Sequence, residues 1–322
     1  MRVFPEGWGS QVAAVRSNRW GFSLSTEQGA LTDPRVLLRL WLTSHFPDKY
    51  VLITGCGSGF GNLLARQLDM RGLRVLAACL TEKGAEQLRA QTSDRLETVS
   101  LDVTRTESIS AAAQWCCSLI FPLSLGLWDL VNNAGICVPS APNEWLTKQD
   151  FVAILDVNLL GTIEVTLSLL PLVRKVRGHV VNVSSVVGRL CIVGGGYSIS
   201  KYGVEAFSDS LRRELAHFGL KVAVVEPGFF QTNVTNCESF LAGPGGLGPG
   251  QPRDQGPHSQ GAVWSTGHLE KESRNLSEVT DCMEHALTAC HPRTRYSAGW
   301  DAKLFYLPMS YMPTFLADAI LT

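Results

Sequence analysis

A short apolar run, Tyr50-Val51-Leu52-Ile53, leads directly into Thr54-Gly55-Cys56-Gly57-Ser58-Gly59-Phe60-Gly61, and apolar residues at helical spacing follow at Leu63, Leu64 and Leu68. A strand that ends in a glycine cluster and opens a helix leaves few folds available. The glycines let the backbone turn sharply and approach a ligand closely, and the helix N-terminus beyond them offers free N–H groups and the positive end of its dipole to an anion such as a pyrophosphate. The spacing is G-x-x-x-G-x-G. It is not the G-x-x-x-x-G-K-[ST] phosphate loop, because no lysine follows.

The same alternation continues down the chain. Arg74–Ala78, Leu96–Leu101, Leu127–Val131, His179–Val183 and Lys221–Val225 read as five more strands. Helices are expected near Glu82–Thr92, after a capping box formed by Thr104 and Glu107, after another formed by Thr147 and Asp150, over Tyr197–His217, and from Leu276 through Cys282 to Ala289. Strands alternating with helices imply a parallel sheet covered on both faces. The expected fold is therefore α/β, a single Rossmann-type doubly wound parallel sheet over residues 49–322. Residues 1–48 lack periodicity and read as an appended arm. Residues 241–270 read as an irregular insert, because eleven of the nineteen residues Gly243–Gly261 are Gly or Pro.

Composition narrows the function classes. Lys+Arg 28 against Asp+Glu 29 gives a net charge of −1, so no electrostatic footprint for nucleic acid is expected. The nine cysteines include no C-x-x-C and no zinc spacing, so they are read as reduced thiols and no metal is expected. The longest apolar run of the N-terminal arm, Val36–Leu42, contains Arg39 and is too short to span a bilayer. Ser108–Trp128 is uncharged but lies between two strands of one sheet, so it is read as a soluble helix. Leu304–Thr322 is apolar but broken by Pro308, Pro313 and Asp318, and suits a docked tail with peripheral membrane contact.

Several residues carry chemistry. Tyr197 and Lys201 share a helix face, and a lysine ammonium beside a tyrosine hydroxyl favours the phenolate, which makes a general base. Asn182-Val183-Ser184-Ser185 ends the fifth strand, where ligands of parallel sheets bind, and Ser185 lies twelve residues before Tyr197. Asn132-Asn133-Ala134-Gly135 follows the fourth strand. Asn158 sits within the long helix, and Pro227-Gly228 with Thr232 follows the sixth strand.

In this order the motifs resemble the short-chain dehydrogenase/reductase superfamily. The longer blocks Phe60-Gly61-Asn62-Leu63-Leu64, Gly203–Asp209 and His291–Asp301 resemble its microsomal retinol and 3α-hydroxysteroid dehydrogenase branch. The resemblance implies an NAD-dependent enzyme that oxidises a small lipophilic alcohol, a retinoid or steroid, by hydride transfer. It implies Tyr197 as catalytic base, with Lys201 lowering its pKa and holding the ribose. Ser185 would orient the substrate hydroxyl, and Asn158 would carry a water relay to Lys201. Cofactor contacts would come from Thr54, Gly55, Ser58, Gly59, Phe60, Gly61, Asp102 at the adenine, Asn132 at the cleft border, Tyr197, Lys201, Pro227, Gly228 and Thr232. It also implies an endoplasmic reticulum membrane location, and a homo-oligomer stays open.

The chain departs from that branch in four places. Position 57 is Gly where the branch has Asp, the apolar N-terminal anchor is replaced by the arm 1–48, 116–125 is apolar, and the Gly/Pro tract stands where a helical substrate lid is expected. With the anchor replaced, a cytoplasmic location stays open. Two further readings stay open as well: a catalytically impaired cofactor-binding chain, favoured by the tract, and an NADPH-dependent carbonyl reductase. No acidic residue ends the second strand, at Cys79, and Lys83 is nearby.

Overall fold

The computed structural model describes residues 49–120, 126–192, 194–232 and 273–321. The arm 1–48 and the insert 241–270, including the Gly/Pro tract, lie outside the described residues. Seven strands form one sheet: β1 (Tyr50–Thr54), β2 (Arg74–Cys79), β3 (Leu96–Ser100), β4 (Leu127–Asn132), β5 (His179–Val183), β6 (Lys221–Pro227) and β7 (Arg295–Ala298). The order is β3-β2-β1-β4-β5-β6-β7, and every described pairing is parallel. The chain winds outward from β1 to β3 and then restarts at β4 on the other side. This reversal opens a crevice at the carboxyl ends of β1 and β4.

The longer helices among the described residues are α1 (Gly59–Met70), α2 (Glu82–Arg89), α3 (Thr106–Ile120), α4 (Lys148–Lys175), α5 (Gly196–Leu215), α6 (Ser277–Thr288) and α7 (Thr314–Leu321). Successive strand residues point to opposite faces, and the two buried clusters follow that alternation. Val51, Ile53, Val75, Ala77, Val181 and Val225 pack under α1, α2 and α6. Leu52, Leu76, Ala78, Leu130, Val180 and Val222 pack under α3, α4 and α5. β1 reads as a continuous apolar run and is buried throughout because both of its faces are covered.

Within the uncharged segment Ser108–Trp128, α3 buries Ile109, Ala112, Cys116 and Ile120 against the sheet. Among the described residues one helix, α4, is long and apolar enough to cross a membrane, and its Val165, Leu169 and Val173 are buried on the sheet.

One local reading needs correction, and two features were not anticipated. Thr104 and Glu107 form no capping box: the Thr104 N–H and hydroxyl both donate to Asp102 Oδ1, at 2.9 and 2.7 Å, and α3 begins at Thr106. The long helix is not uniform, since a π-helical segment, Asp156–Gly161, interrupts α4. Strand β7 escaped the sequence pattern because it has four residues, of which only Tyr296 and Ala298 are buried. The Thr147–Asp150 capping box is present at the start of α4.

Candidate active site

The crevice is a cleft of about 500 Å³ at the strand ends, bounded by the turn after β1, the loop after β4, the Ser184-Ser185 end of β5, the start of α5 and the turn after β6. Its floor is the glycine turn. Gly55 and Gly59 have φ of +71° and +60°, a conformation that L side chains avoid. Ser58 caps α1 without a side-chain bond, and no acidic residue occupies the first turn. The N–H groups there and the dipole's positive end therefore face the cleft uncompensated, which fits a dinucleotide pyrophosphate.

The loop after β4 is fastened to this turn. Asn133 Nδ2 donates to the Thr54 and Gly55 carbonyls at 2.9 and 3.2 Å, and the N–H groups of Asn133 and Ala134 both donate to Thr54 Oγ1 at 3.0 Å. Asn158 fixes the next stretch: its Oδ1 accepts the Ile136 N–H and its Nδ2 donates to the Ile136 carbonyl, both at 2.8 Å.

At the far end Tyr197, Ser185 and Lys201 converge. The Ser185 hydroxyl donates to the Pro227 carbonyl and accepts the Val187 N–H, both at 3.4 Å, and lies beside the Tyr197 phenol. Lys201 Nζ donates to the Val183 carbonyl at 2.9 Å and lies 5.5 Å from the Tyr197 ring centre. Burial brings the Lys201 ammonium down to about 8, and negative charge on Cys137 and Glu205 opposes this. Burial pushes the Tyr197 phenol well above its ordinary range; charge on Cys137 adds to this, and the neighbouring Ser185 hydroxyl opposes it. In the folded chain without cofactor, burial dominates the Tyr197 phenol, and the resting phenol keeps its proton.

Of the residues expected here, Gly55, Ser58, Gly59, Phe60, Asp102, Ser185, Tyr197, Lys201, Pro227, Gly228 and Thr232 line the cleft. Four do not. Thr54 is buried and serves the loop bonds just described. Gly61 is buried, with Asn133 Nδ2 where a side chain would stand. Asn132 lies beneath the cleft, donating to Thr166 Oγ1 and Asn182 Oδ1 at 2.8 Å each. Asn158 Nδ2 also donates to Ser200 Oγ at 3.0 Å, so its side chain holds structure rather than touching the cleft. Sequence reasoning passed over Asn133, although it sits in the quoted Asn-Asn-Ala-Gly motif; in an extended segment only one of two adjacent side chains faces the cleft.

These features coincide with a known pattern over residues 49–239, which match the family described as short chain dehydrogenase. The chain belongs to the short-chain dehydrogenase/reductase family. It is an oxidoreductase of that family, and a nicotinamide cofactor is what such a cleft holds. The chain is 68% identical over 284 residues to Retinol dehydrogenase 16 of Homo sapiens, covering 86% of this chain and 89% of that protein. It is 60% identical over 287 residues to 17-beta-hydroxysteroid dehydrogenase type 6 of Homo sapiens, covering 87% and 90%. A short-chain dehydrogenase from Streptomyces avermitilis has the same fold, with a TM-score of 0.68 at 28% identity over 85% of this chain and 94% of that one.

Proposed function

We propose that this chain oxidises the hydroxyl of retinol to retinal, and of 3α-hydroxysteroids to ketosteroids, with NAD as hydride acceptor. The observation that carries the reading is the convergence of Tyr197, Ser185 and Lys201 at one end of a dinucleotide-sized cleft, in a chain so similar to relatives named for retinol and hydroxysteroid oxidation. Tyr197 is the acid/base group. Its hydroxyl exchanges the proton of the substrate alcohol, and Ser185 donates a second hydrogen bond that fixes the same oxygen. Lys201, held at the Val183 carbonyl, places an ammonium near the phenol and the ribose position. Asn158 acts by fixing the Ile136 loop beside Lys201. A bound oxidised nicotinamide supplies the carbon that takes the hydride and a positive charge that favours the ionised phenol. The cleft end formed by Thr81, Lys83 and Gln87 faces the adenosine half.

Behind the site Val186, Val187, Ala302 and Tyr306 form a third buried apolar cluster against which Tyr197 and Phe229 pack. Peripheral contact with the endoplasmic reticulum membrane belongs to this reading by resemblance, and the exposed Leu304, Phe315 and Ile320 near the C-terminus support it. Self-association is supported by exposed Leu160 and Leu167 on α4 and by Ile199 and Tyr202 on α5.

Tyr197→Phe tests the chemistry. Turnover should fall at least about 100-fold, the usual contribution of a positioned acid/base, while NADH affinity by fluorescence titration stays within twofold. A variant that kept more than a tenth of the parent rate would remove Tyr197 from the role. A parallel NADPH titration tests the cofactor, with tighter NADPH binding favouring the reductase reading.

A further inference from the structure

Behind the site, charged side chains from four segments form a continuous network. Glu226, next to Pro227 at the end of β6, is 1% exposed, and Glu205 lies one helical turn beyond Lys201 on α5, also buried. Two buried carboxylates this close require counter-charge. Burial pushes the Glu205 carboxyl up, Glu226 adds to this, and Arg295 opposes it. Arg295, on β7, pairs with Glu205, reaches Asp209 at 3.0 Å and lies 3.6 Å from Glu226. Arg189, four residues after Ser185, reaches Glu226 at 3.2 Å and donates to the Tyr311 hydroxyl at 2.8 Å. Ser297 Oγ donates to Glu226 at 3.3 Å.

We propose that Arg295 is a positioning residue for the reaction, holding the Ser185 turn, the Tyr197–Lys201 helix and the Pro227–Gly228 turn in register through Glu226 and Glu205. The site is assembled from three separate segments: the Ser185 turn, the helix carrying Tyr197 and Lys201, and the Pro227–Gly228 turn. Each is gripped close to its reacting residue: Ser185 through Arg189, Lys201 through Glu205, and Pro227 through the adjacent Glu226. A guanidinium suits this task because its planar fork can face several carboxylates at once, whereas a lysine ammonium is a point charge on a flexible stem. Arg295 touches neither the cleft nor any of the three groups, so its effect is geometric. A displacement of about 1 Å at a reacting group can cost about 100-fold in rate.

The inference rests on the assignment of Tyr197, Ser185 and Lys201, and the test separates the two. Arg295→Lys keeps the charge and loses the fork. The pair Glu205→Gln/Arg295→Gln removes one acid and one base together, so it leaves no new buried charge if the single variant fails to fold. Parent, Tyr197→Phe and both variants are assayed with NAD and retinol or a 3α-hydroxysteroid. The expected result is kcat at least tenfold lower in every folded Arg295 variant, with KM changed less than threefold and NADH affinity within twofold. A folded Arg295 variant with kcat within twofold of the parent, or one whose loss lies entirely in KM or NADH affinity, overturns the positioning role. Retained activity in Tyr197→Phe, or a parent inactive on both substrates, overturns the underlying assignment instead.

Discussion

Lys201 is a buried cation whose hydrogen bond goes to the Val183 carbonyl. Its pKa is lowered from 10.5 to about 8, so the sign of its effect on stability can be worked out. Below pH 8 the folded and unfolded chains both carry the proton, and the burial penalty is fully expressed. Between 8 and 10.5 the unfolded chain alone binds it, so rising pH relieves the penalty. Lys201→Met should therefore unfold at a higher temperature than the parent at pH 7 without cofactor, by a margin equivalent to at most about 3 kcal/mol. The margin should shrink as the pH passes from 8 toward 10.5, and turnover should be lost. A lower midpoint for the variant at pH 7 would show that Lys201 holds the fold rather than straining it. The residue types of the site were legible because Tyr197 and Lys201 stand four apart on a helix and Ser185 ends a strand. The upward shift of the Tyr197 pKa was not, because it depends on what surrounds the hydroxyl, and spacing carries no information on surroundings.

At the scale of elements, the turn after β6 depends on a close approach. A Cβ at Gly228 would lie 2.2 Å from both carboxylate oxygens of Asp301, whose Oδ2 accepts the Phe229 N–H at 2.8 Å. Gly228→Ala must push Asp301 away or reshape the turn, an overpacking cost of roughly 1–3 kcal/mol. Urea unfolding should show that loss and NADH titration a weaker affinity; unchanged values in both would mean the turn yields without consequence. Asp301 sits far along the chain from Gly228, so the sequence pattern could mark both residues without joining them. The Thr104–Glu107 reading failed for a nearer reason. Asp102 captures the Thr104 hydroxyl and N–H in an Asx-type turn, a competition that local side chains offer a helix start. The Thr147–Asp150 box had no such rival and formed.

For the whole molecule, the alternation of apolar runs and helical spacing was enough to specify a doubly wound parallel sheet, and the reversal of strand order between β1 and β4 places the cleft. The edge strand β7 was the part left unread, and it carries Arg295. Exposed apolar side chains near the C-terminus give this scale its own test. Leu304→Ser/Phe315→Ser/Ile320→Ser should float with phospholipid vesicles less than the parent, because these side chains are 76%, 70% and 48% exposed. Equal flotation would move the membrane contact elsewhere.

The central claim is the reaction itself, and product analysis tests it most directly. Purified chain is incubated with NAD and retinol, and in parallel with NAD and a 3α-hydroxysteroid, and both products are quantified. The account predicts retinal, or the 3-ketosteroid, formed in equal amount with NADH, and neither formed by Tyr197→Phe. A parent chain that binds NADH yet produces neither the aldehyde nor the ketone would contradict it.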